Sequence, residues 1–221
     1  MVKLLAAVFM LVDHIGLLFF PQCFWLRCIG RLSFPLFAYC IARGYYHSAC
    51  KGKEIQYARN LFLFALASQV PYSLMEWFSG GSLLKLNIGF TWLLSVVLLK
   101  FVCSRQNPPL STLYCGLVFL LSLSIPIDYG IYGVIFPLML FWCYFSKHKS
   151  YYAFTGMAAL LPVYMMQIGG LIQAFSLAAY PALSLGLRYD AKIGRHKRFF
   201  YWFYPCHIAA LVMLKGILLW L

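Results

Sequence analysis

The sequence predicts an all-α fold, a polytopic transmembrane bundle of about nine helices whose N-terminus is cytoplasmic. Apolar residues make up 63% of the 221 residues and charged residues only 10%, whereas a soluble domain carries about 25% charged residues. Apolar runs long enough to cross a bilayer follow one another along the chain, and basic loops separate them at every second position. Residues 1–221 are therefore expected to form one membrane domain.

Nine apolar runs are candidates for membrane-spanning helices, because about 20 apolar residues cross the hydrocarbon core. They lie near residues 4–21, 29–48, 58–78, 86–102, 111–126, 129–146, 151–166, 168–186 and 199–220. Only Gly169-Gly170 separates the seventh run from the eighth, so these two either both span the membrane or form a re-entrant pair. The first run carries Asp13-His14 in its interior and no Ala-x-Ala-like site after it, which favours a retained helix over a signal peptide.

The distribution of lysine and arginine predicts the orientation. If each loop is numbered by the run before it, the odd loops contain only Arg27, Arg31 and Lys85. The even loops contain Lys51, Lys53, Arg59, Lys100, Arg105, Lys147, Lys149, Arg188, Lys192, Arg195, Lys197 and Arg198. The positive-inside rule places the even loops and the N-terminus in the cytoplasm and the C-terminus outside. The net charge of +13 then points to membrane lipid and cytoplasmic anions as partners, and not to nucleic acid.

Motifs that signal a metal or a soluble-type cofactor site are missing from the sequence. There is no phosphate-binding loop, no G-x-G-x-x-G and no H-E-x-x-H, and no C-x-x-C pair with zinc spacing occurs among the eight cysteines. We therefore expect no metal. Most cysteines lie in or beside apolar runs, where a thiol is usually a small buried apolar group. Cys23 and Cys28 share the first odd loop and could form a disulfide in an oxidising compartment.

Asp13 and His14 are the sharpest polar feature inside an apolar run. At about 1.5 Å per residue they lie about 15 Å beyond Lys3, near the middle of the membrane. A carboxylate buried there costs on the order of 3 kcal/mol or more unless it is paired. Neighbouring side chains point about 100° apart on a helix, so at least one of the two is expected to face another helix. Intramembrane ionisable residues mark functional sites by default, although a structural hydrogen bond between helices is the alternative.

The last run contains Phe203-Tyr204-Pro205-Cys206-His207. His207 lies about nine residues past the cytoplasmic end of this run, at a depth similar to that of His14. Pro205 removes a helical hydrogen bond near residue 201 and can open the backbone there. Two histidines and a carboxylate at one depth favour a shared polar site over a kinked helix with a satisfied core histidine.

Several other polar residues have two interpretations each. Arg31 either snorkels to the membrane interface or donates to Asp13 or to a developing oxyanion. Asp128 is interpreted first as a helix cap, and otherwise as a group that orients an acceptor amine or hydroxyl. Asn87 and Thr91, one turn apart at the start of the fourth run, either pack or line a site.

These segments together resemble the TraX family, whose namesake is the inner-membrane protein of F-type conjugation that acetylates the N-terminus of pilin. The resemblance is carried in order by Leu11–Ile15, Gly30-Arg31, Phe34–Ala38, Ser68–Tyr72, Leu86–Ile88, Asp128–Gly130 with Gly133, Gln173–Phe175 and Phe203–Ala209. Its most specific parts are the Asp-His-Ile and Tyr-x-Cys-His elements. The family is similar to membrane acyltransferases that use acetyl-CoA and place an essential histidine on an early helix, the position of His14.

The resemblance implies an acetyltransferase of the bacterial inner membrane, with acetyl-CoA as donor and an amine or hydroxyl acceptor such as a pilin-like peptide. His14 would be the base, Asp13 its orienter or an acceptor-binding anion, and Arg31 the partner of the oxyanion. His207 would be a second proton carrier or an acetyl relay. A covalent acetyl group on Cys206 is disfavoured, because a thiol in apolar surroundings is inert.

Binding roles follow from the same resemblance. The candidates for binding the acceptor are Asp128, Tyr129, Asn87, Gln69 and Tyr204. The basic loop Arg188–Arg198 is either an inside anchor or a phosphate-binding site. In the second case the residues that would hold the phosphates of acetyl-CoA are Arg195, Lys197 and Arg198.

Two other classes of function fit the same residues. Intramembrane Asp and His residues also form the proton relays of transporters, and a proton-coupled small-solute transporter would use Asp13, His14 and His207. Transporters often contain inverted repeats, and no internal repeat is visible in this sequence. A non-catalytic assembly subunit with a polar structural core is the third class. It predicts folding defects, and not a clean loss of activity, when His14 is replaced.

Overall fold

The computed structural model describes residues 2–104, 107–168, 170–189 and 197–220, and these ranges form a bundle of helices. In chain order the helices are α1 Val2–Phe19, α2 Phe24–Gly30, α3 Ser33–Ala49, α4 Glu54–Phe78, α5 Ile88–Cys103, α6 Pro108–Ser124, α7 Gly130–Phe145, α8 Lys149–Ile168, the 3₁₀ helix Leu171–Ala179, α9 Tyr180–Tyr189 and α10 Lys197–Trp220. The predicted all-α bundle is confirmed, and each of the nine predicted runs corresponds to one helix or one broken pair of helices.

The helices have the length and surface of a membrane protein. Three stretches are long and apolar enough to cross a membrane: Val2–Phe19, Phe24–Ala49 and Tyr201–Trp220. Three shorter apolar helices accompany them, namely α5, α6 and α7. Large apolar side chains such as Leu113 and Leu120 of α6 are exposed on the outside of the bundle, as expected where lipid surrounds the protein. The chain is therefore an integral membrane protein.

Contacts between loops and helix ends define two ends of the bundle. At one end, the backbone of Leu86 bonds to those of Pro126 and Asp128, at 2.8 and 2.9 Å, and joins the loops that follow α4 and α6. At the opposite end, the rings of Tyr46 in α3 and Phe145 in α7 lie 5.2 Å apart. We call these the outer end and the basic end, after the predicted orientation. The loops alternate between these two ends, as the predicted order of spans requires.

The seventh and eighth predicted runs both cross the bundle. The 3₁₀ helix begins at the outer end, where Gln173 shares a cavity with Asp13. α9 reaches the end where α1 begins, because the Tyr39 hydroxyl donates to the Gly186 carbonyl at 2.7 Å and Gly186 lies beside Val2. Nine residues at about 2.0 Å and ten residues at about 1.5 Å span about 33 Å, enough to cross about 30 Å of hydrocarbon. The re-entrant alternative is therefore not the arrangement seen.

The predicted second run is broken into two helices. α2 begins at Phe24, earlier than the predicted residue 29, and is separated from α3 only by Arg31 and Leu32. α2 packs against α1, so Arg27 and Arg31 come to lie beside the outer half of α1. The break is thus the feature that brings two arginines to the intramembrane aspartate.

A stack of aromatic rings supports the outer half of the bundle. Phe34 lies flat on Tyr129, with ring centroids 4.2 Å apart, and Tyr132 lies flat on Tyr164 at 4.1 Å. Tyr129 and Tyr164 connect the two pairs at 5.6 Å. Stacked aromatic pairs contribute about 0.5–1.5 kcal/mol beyond their buried area. The stack therefore fixes α3, α7 and α8 relative to one another.

Candidate active site

A cavity of about 300 Å³ lies at the outer end, between α1–α5, the loops after α4 and α6 and the 3₁₀ helix. Its size is at the lower limit for a small-molecule site. Three of the five acidic residues of the chain line it, together with all three basic residues of the odd loops. The ionisable lining residues are Asp13, His14, Arg27, Arg31, Glu76, Lys85 and Asp128, joined by the phenols of Tyr72, Tyr129 and Tyr204.

Asp13 holds two arginines at this cavity. Its Oδ1 lies 2.9 Å from Nη1 of Arg27 and 3.5 Å from Nη2 of Arg31, and Arg27 also donates to the Asp13 carbonyl at 3.1 Å. Arg31 is only 6% exposed, so it does not snorkel to the interface. The Nε of Arg31 is buried and has no hydrogen-bond partner among the described residues. Two cations around one carboxylate leave this wall of the cavity positively charged.

Gly30 makes this arrangement possible. It lies on α2 directly against the side chain of Asp13, and a Cβ atom at this position would overlap the carboxylate of Asp13. Only glycine allows α2 to approach α1 this closely. The Gly30-Arg31 pair therefore works as a unit, in which the glycine provides the space for the carboxylate that the arginine binds.

His14 and His207 form a direct contact between α1 and α10. Nδ1 of His14 lies 2.8 Å from Nε2 of His207. The ring centroids are 5.0 Å apart and the ring planes differ by 6°, so the rings meet edge to edge in nearly one plane, as an N–H···N hydrogen bond requires. The other nitrogen of His207, Nδ1, lies 2.6 Å from the carbonyl oxygen of Phe203. The equal depth predicted for the two histidines is what the structure shows.

The histidine pair is separate from the aspartate and its arginines. His14 is 8% exposed and lines the cavity, whereas His207 does not, so the Nδ1 edge of His14 points away from the cavity. No described residue hydrogen-bonds Nε2 of His14. Asp13 and His14 therefore face different partners, as their angular separation on the helix predicts.

Lys85 forms the opposite wall of the cavity with two carboxylates. Its Nζ lies 3.1 Å from Oε1 of Glu76 and 3.1 Å from Oδ1 of Asp128. The cap interpretation of Asp128 is wrong, because Tyr129 is the N-cap of α7 and no side-chain hydrogen bond caps this helix. The carboxylate of Asp128 is instead drawn to Lys85 by the backbone pairing of the two loops. Two carboxylates around one cation leave this wall negatively charged.

The same pairs determine the protonation of Lys85. Burial disfavours the charged form, but the carboxylates of Asp128 and Glu76 outweigh burial and raise the pKa of the Lys85 ammonium above its ordinary value of 10.5. Because the pKa of Lys85 is higher in the folded state, its ion pairs contribute their full stability to the fold below pH 10.5. This contribution is lost as the pH rises through the raised pKa.

Replacing Lys85 with methionine is expected to destabilise the protein by about 1 kcal/mol, because the side chain is partly exposed and its pairs are partly screened. Thermal unfolding in detergent measures the change, with Lys51→Met, an exposed lysine at the basic end, as control. Adding Glu76→Gln should restore part of the loss, because it removes the repulsion between the two carboxylates. An unfolding temperature equal to that of Lys51→Met would contradict a stabilising role of these pairs.

The remaining acceptor-site candidates divide into two groups. Tyr129 and Tyr204 line the cavity. Gln69 and Asn87 do not. Asn87 caps α5 through Gly89 N–H at 2.8 Å and donates to Gln69 at 2.9 Å, while Gln69 donates to the Lys85 carbonyl at 2.9 Å. These two residues hold the loop that carries Lys85.

The other candidates lie away from the cavity. Thr91 donates to the Asp128 carbonyl at 2.6 Å, a packing role at the start of α5. Cys206 is exposed on α10, so it is not the buried thiol expected, and Cys23 and Cys28 are free thiols. Of the phosphate-binding candidates, Arg195 lies outside the described residues. Lys197 and Arg198 begin α10, but their side chains are also outside the part of the chain that the structure describes.

Sequence reasoning missed several residues of the cavity. The sequence interpretation uses Arg27 and Lys85 only as loop charges that indicate orientation. It assigns no site role to Glu76 or Gln173. A signal for them exists in the sequence. Bases are rare in loops that the positive-inside rule assigns to the outside, and acids are rare in the whole chain, so each such residue is a candidate for a shared site.

Comparison with known proteins gives two matches. The family model described as TraX protein matches residues 1–215. A probable fimbrial assembly protein of Dichelobacter nodosus, serogroup H1, is 32% identical, and the match covers 96% of this chain and 93% of that relative. No solved structure matches the chain.

Proposed function

Because this chain belongs to the TraX family, we propose that it is a membrane acetyltransferase that takes the acetyl group from acetyl-CoA. The acceptor is the terminal amine of a pilin-like peptide, and the location is the bacterial inner membrane. The relative described as a probable fimbrial assembly protein supports a pilin-like partner. Fold similarity alone does not assign an activity, so the proposal depends on the cavity.

The observation that carries the proposal is the position of His14. One ring nitrogen is held by His207 at 2.8 Å, and the ring faces a cavity with arginines on one wall and carboxylates on the other. Acyl transfer to an amine needs a base, a donor for the oxyanion and a group that binds the acceptor. The cavity contains a candidate for each need.

The proposed reaction proceeds by addition and elimination. The acceptor nitrogen attacks the thioester carbonyl carbon while Nε2 of His14 accepts a proton from that nitrogen. The carbonyl oxygen gains negative charge and is stabilised by Arg31, whose buried Nε has no partner among the described residues. The carbon–sulfur bond then breaks, the CoA thiolate accepts the proton from His14, and the acetyl group remains on the acceptor as an amide.

The negative wall is the proposed binding site for the acceptor. Glu76 and Asp128 together carry one more negative charge than Lys85 neutralises, so the wall attracts an ammonium ion. An amine that enters as ammonium loses one proton to solvent before it attacks, and His14 accepts the second proton as the new bond forms. A hydroxyl acceptor would gain nothing from this wall, and the geometry therefore favours an amine.

Acetyl-CoA would bind with its two ends in different places. A cavity of about 300 Å³ suits the acetyl group and the end of the pantetheine arm together with the acceptor nitrogen. The nucleotide would stay at the basic end near Arg195, Lys197 and Arg198. Lys197 precedes His207 by ten residues, about 15 Å along a helix, which is the distance the arm would cover.

The test is acetylation of a defined peptide by the purified protein in detergent. Mass spectrometry should detect an acetylated product from acetyl-CoA and a peptide with a free N-terminal amine, and none from the same peptide with a blocked amine. Thiol reagents would not suit the assay, because the protein has eight cysteines of its own. Absence of an acetylated product with pilin-like peptides would overturn the proposal.

Asp128→Asn tests the amine site. It is expected to raise the KM for the peptide about tenfold, with a smaller change in kcat, because one attractive charge is lost. Glu54→Gln is the matched control and should leave the KM unchanged. Glu54 lies at the start of α4, at the opposite end of this helix from Glu76. A KM for Asp128→Asn equal to that of the control would remove Asp128 from the acceptor site.

A non-catalytic assembly role is the second candidate, because the relative is described as a fimbrial assembly protein. This role predicts that pilus assembly depends on the fold and not on the chemistry of the cavity. A folded variant without a base at position 14 would then still support assembly.

A further inference from the structure

The hydrogen bonds of the two histidines have a direction that can be deduced. A carbonyl oxygen only accepts hydrogen bonds, and Nδ1 of His207 lies 2.6 Å from the carbonyl of Phe203. Nδ1 of His207 therefore carries a hydrogen and donates it. In a neutral imidazole the other nitrogen is then a bare acceptor. Nε2 of His207 consequently offers a lone pair.

The position of the hydrogen on His14 can be deduced in the same way. Its Nδ1 lies 2.8 Å from the lone pair on Nε2 of His207, so Nδ1 of His14 must be the donor. The hydrogen of a neutral His14 is then on Nδ1, and Nε2 is unprotonated. This is the ring nitrogen for which no described residue supplies a hydrogen-bond partner. The backbone of Phe203 thus determines, through two imidazoles, which nitrogen of His14 can accept a proton.

We propose that His207 is a positioning residue that fixes His14 in the tautomer with a basic Nε2, and that it carries neither a proton nor an acetyl group in the reaction. The inference rests on the proposed function for its kinetic consequence. It assigns to a histidine and a peptide carbonyl the task that a buried carboxylate performs in serine hydrolases. Asp13 does not perform this task, because its described partners are Arg27 and Arg31.

The surroundings of His207 suit a fixed orienting group. Its ring lies flat against Phe203, with centroids 4.7 Å apart and planes within 16°, and Tyr204 meets it edge-on at 5.8 Å. His207 does not line the cavity, so it has no direct access to a substrate there. A relay would need His207 to exchange its group with the cavity, whereas a positioning residue acts through His14 alone.

Two substitutions separate these roles. His207→Gln keeps an amide oxygen at about the reach of Nε2, where it can accept from His14. His207→Phe keeps a ring that can stack on Phe203 but removes the acceptor. We expect kcat for peptide acetylation to stay within about tenfold of wild type in the Gln variant. In the Phe variant it should fall about 10⁴-fold, the order known when a catalytic histidine loses its tautomer-fixing partner. The KM should change little in either variant.

Each other pattern overturns the inference. If both variants lose kcat equally, while both remain folded, His207 carries a proton or the acetyl group itself, because an amide can carry neither. If both retain kcat, the contact between the histidines is only structural. The comparison is valid only for variants that elute as monodisperse protein from size-exclusion chromatography. His207→Asn, which keeps an amide oxygen, replaces a Gln variant that does not, and His207→Leu, which has no acceptor, replaces a Phe variant that does not.

NMR of the histidine ring nitrogens tests the tautomer of His14 directly, whether or not the proposed function is correct. In protein with ¹⁵N-labelled histidine, the signals assigned to His14 by comparison with His14→Gln should show a protonated Nδ1 and an unprotonated Nε2. The reverse assignment would overturn the inference even if the protein acetylates peptides. If no acetylation is found at all but the expected tautomer is present, the proposed function fails and the tautomer assignment stands.

Discussion

Replacing His14 with glutamine is expected to reduce kcat for peptide acetylation by about 10²–10⁴-fold, the usual contribution of a general base. Glutamine has no basic nitrogen, so it cannot accept the proton of the attacking amine. Its side-chain amide can still donate to Nε2 of His207, so the contact between α1 and α10 at 2.8 Å has a replacement. The change therefore removes the base with little effect on the bundle. The initial rate of product formation, followed by mass spectrometry at saturating acetyl-CoA, measures it.

His148→Gln is the matched control, because His148 is exposed at the basic end. Its kcat should equal that of wild type. A folded His14→Gln variant with wild-type kcat would show that His14 is not the base. A variant that unfolds would instead support the structural interpretation of the histidine pair, which predicts a folding defect and not a kinetic one.

Replacing Gly30 with alanine is expected to cost about 3 kcal/mol of stability or more. The added Cβ would overlap the carboxylate of Asp13, so either Asp13 turns away or α2 moves off α1. Both outcomes separate Asp13 from Arg27 and Arg31. Breaking a buried ion pair costs about 3–5 kcal/mol, because the remaining charges stay buried without a partner. Thermal unfolding in detergent should show a clear decrease in the midpoint temperature.

Gly116→Ala provides the matched control for this substitution. Gly116 lies in α6, and a Cβ at this position meets no atom within 4 Å. Alanine in a helix is more stable than glycine by about 0.5–1 kcal/mol, so this variant should unfold at or above the wild-type temperature. If Gly30→Ala unfolds at the same temperature as Gly116→Ala, the close packing of α2 on Asp13 is not important for stability.

Much of the site could be predicted because depth in a membrane can be counted along a helix. The rise of about 1.5 Å per residue places His14 and His207 at one level from their distances to the basic loops. The angular separation of helix neighbours correctly gives Asp13 and His14 different partners. Both arguments use only local geometry, which the sequence contains.

Rotation of one helix relative to another is not local, and the sequence does not contain it. The cavity needs α4 to turn Glu76 toward the loop that carries Asp128, and neither the spacing nor the hydropathy of α4 indicates this. Asp128 was misinterpreted for a related reason. The local rule for helix caps applies to an aspartate before a helix. Here the carboxylate of Asp128 instead pairs with Lys85, a residue distant in the sequence whose Nζ lies 3.1 Å from Oδ1.

The short sequence distance between Asp13 and its arginines has a consequence for biogenesis. Asp13 and Arg27 are 2.9 Å apart in space and belong to the consecutive helices α1 and α2, which leave the ribosome one directly after the other. An isolated aspartate at the centre of a helix opposes insertion by about 2.5–3.5 kcal/mol. Its arginine partners are synthesised immediately afterwards, so the carboxylate can enter the bilayer already paired. Lys85 likewise follows Glu76 by nine residues, so this pair can also form during translation, before the cavity that it lines exists.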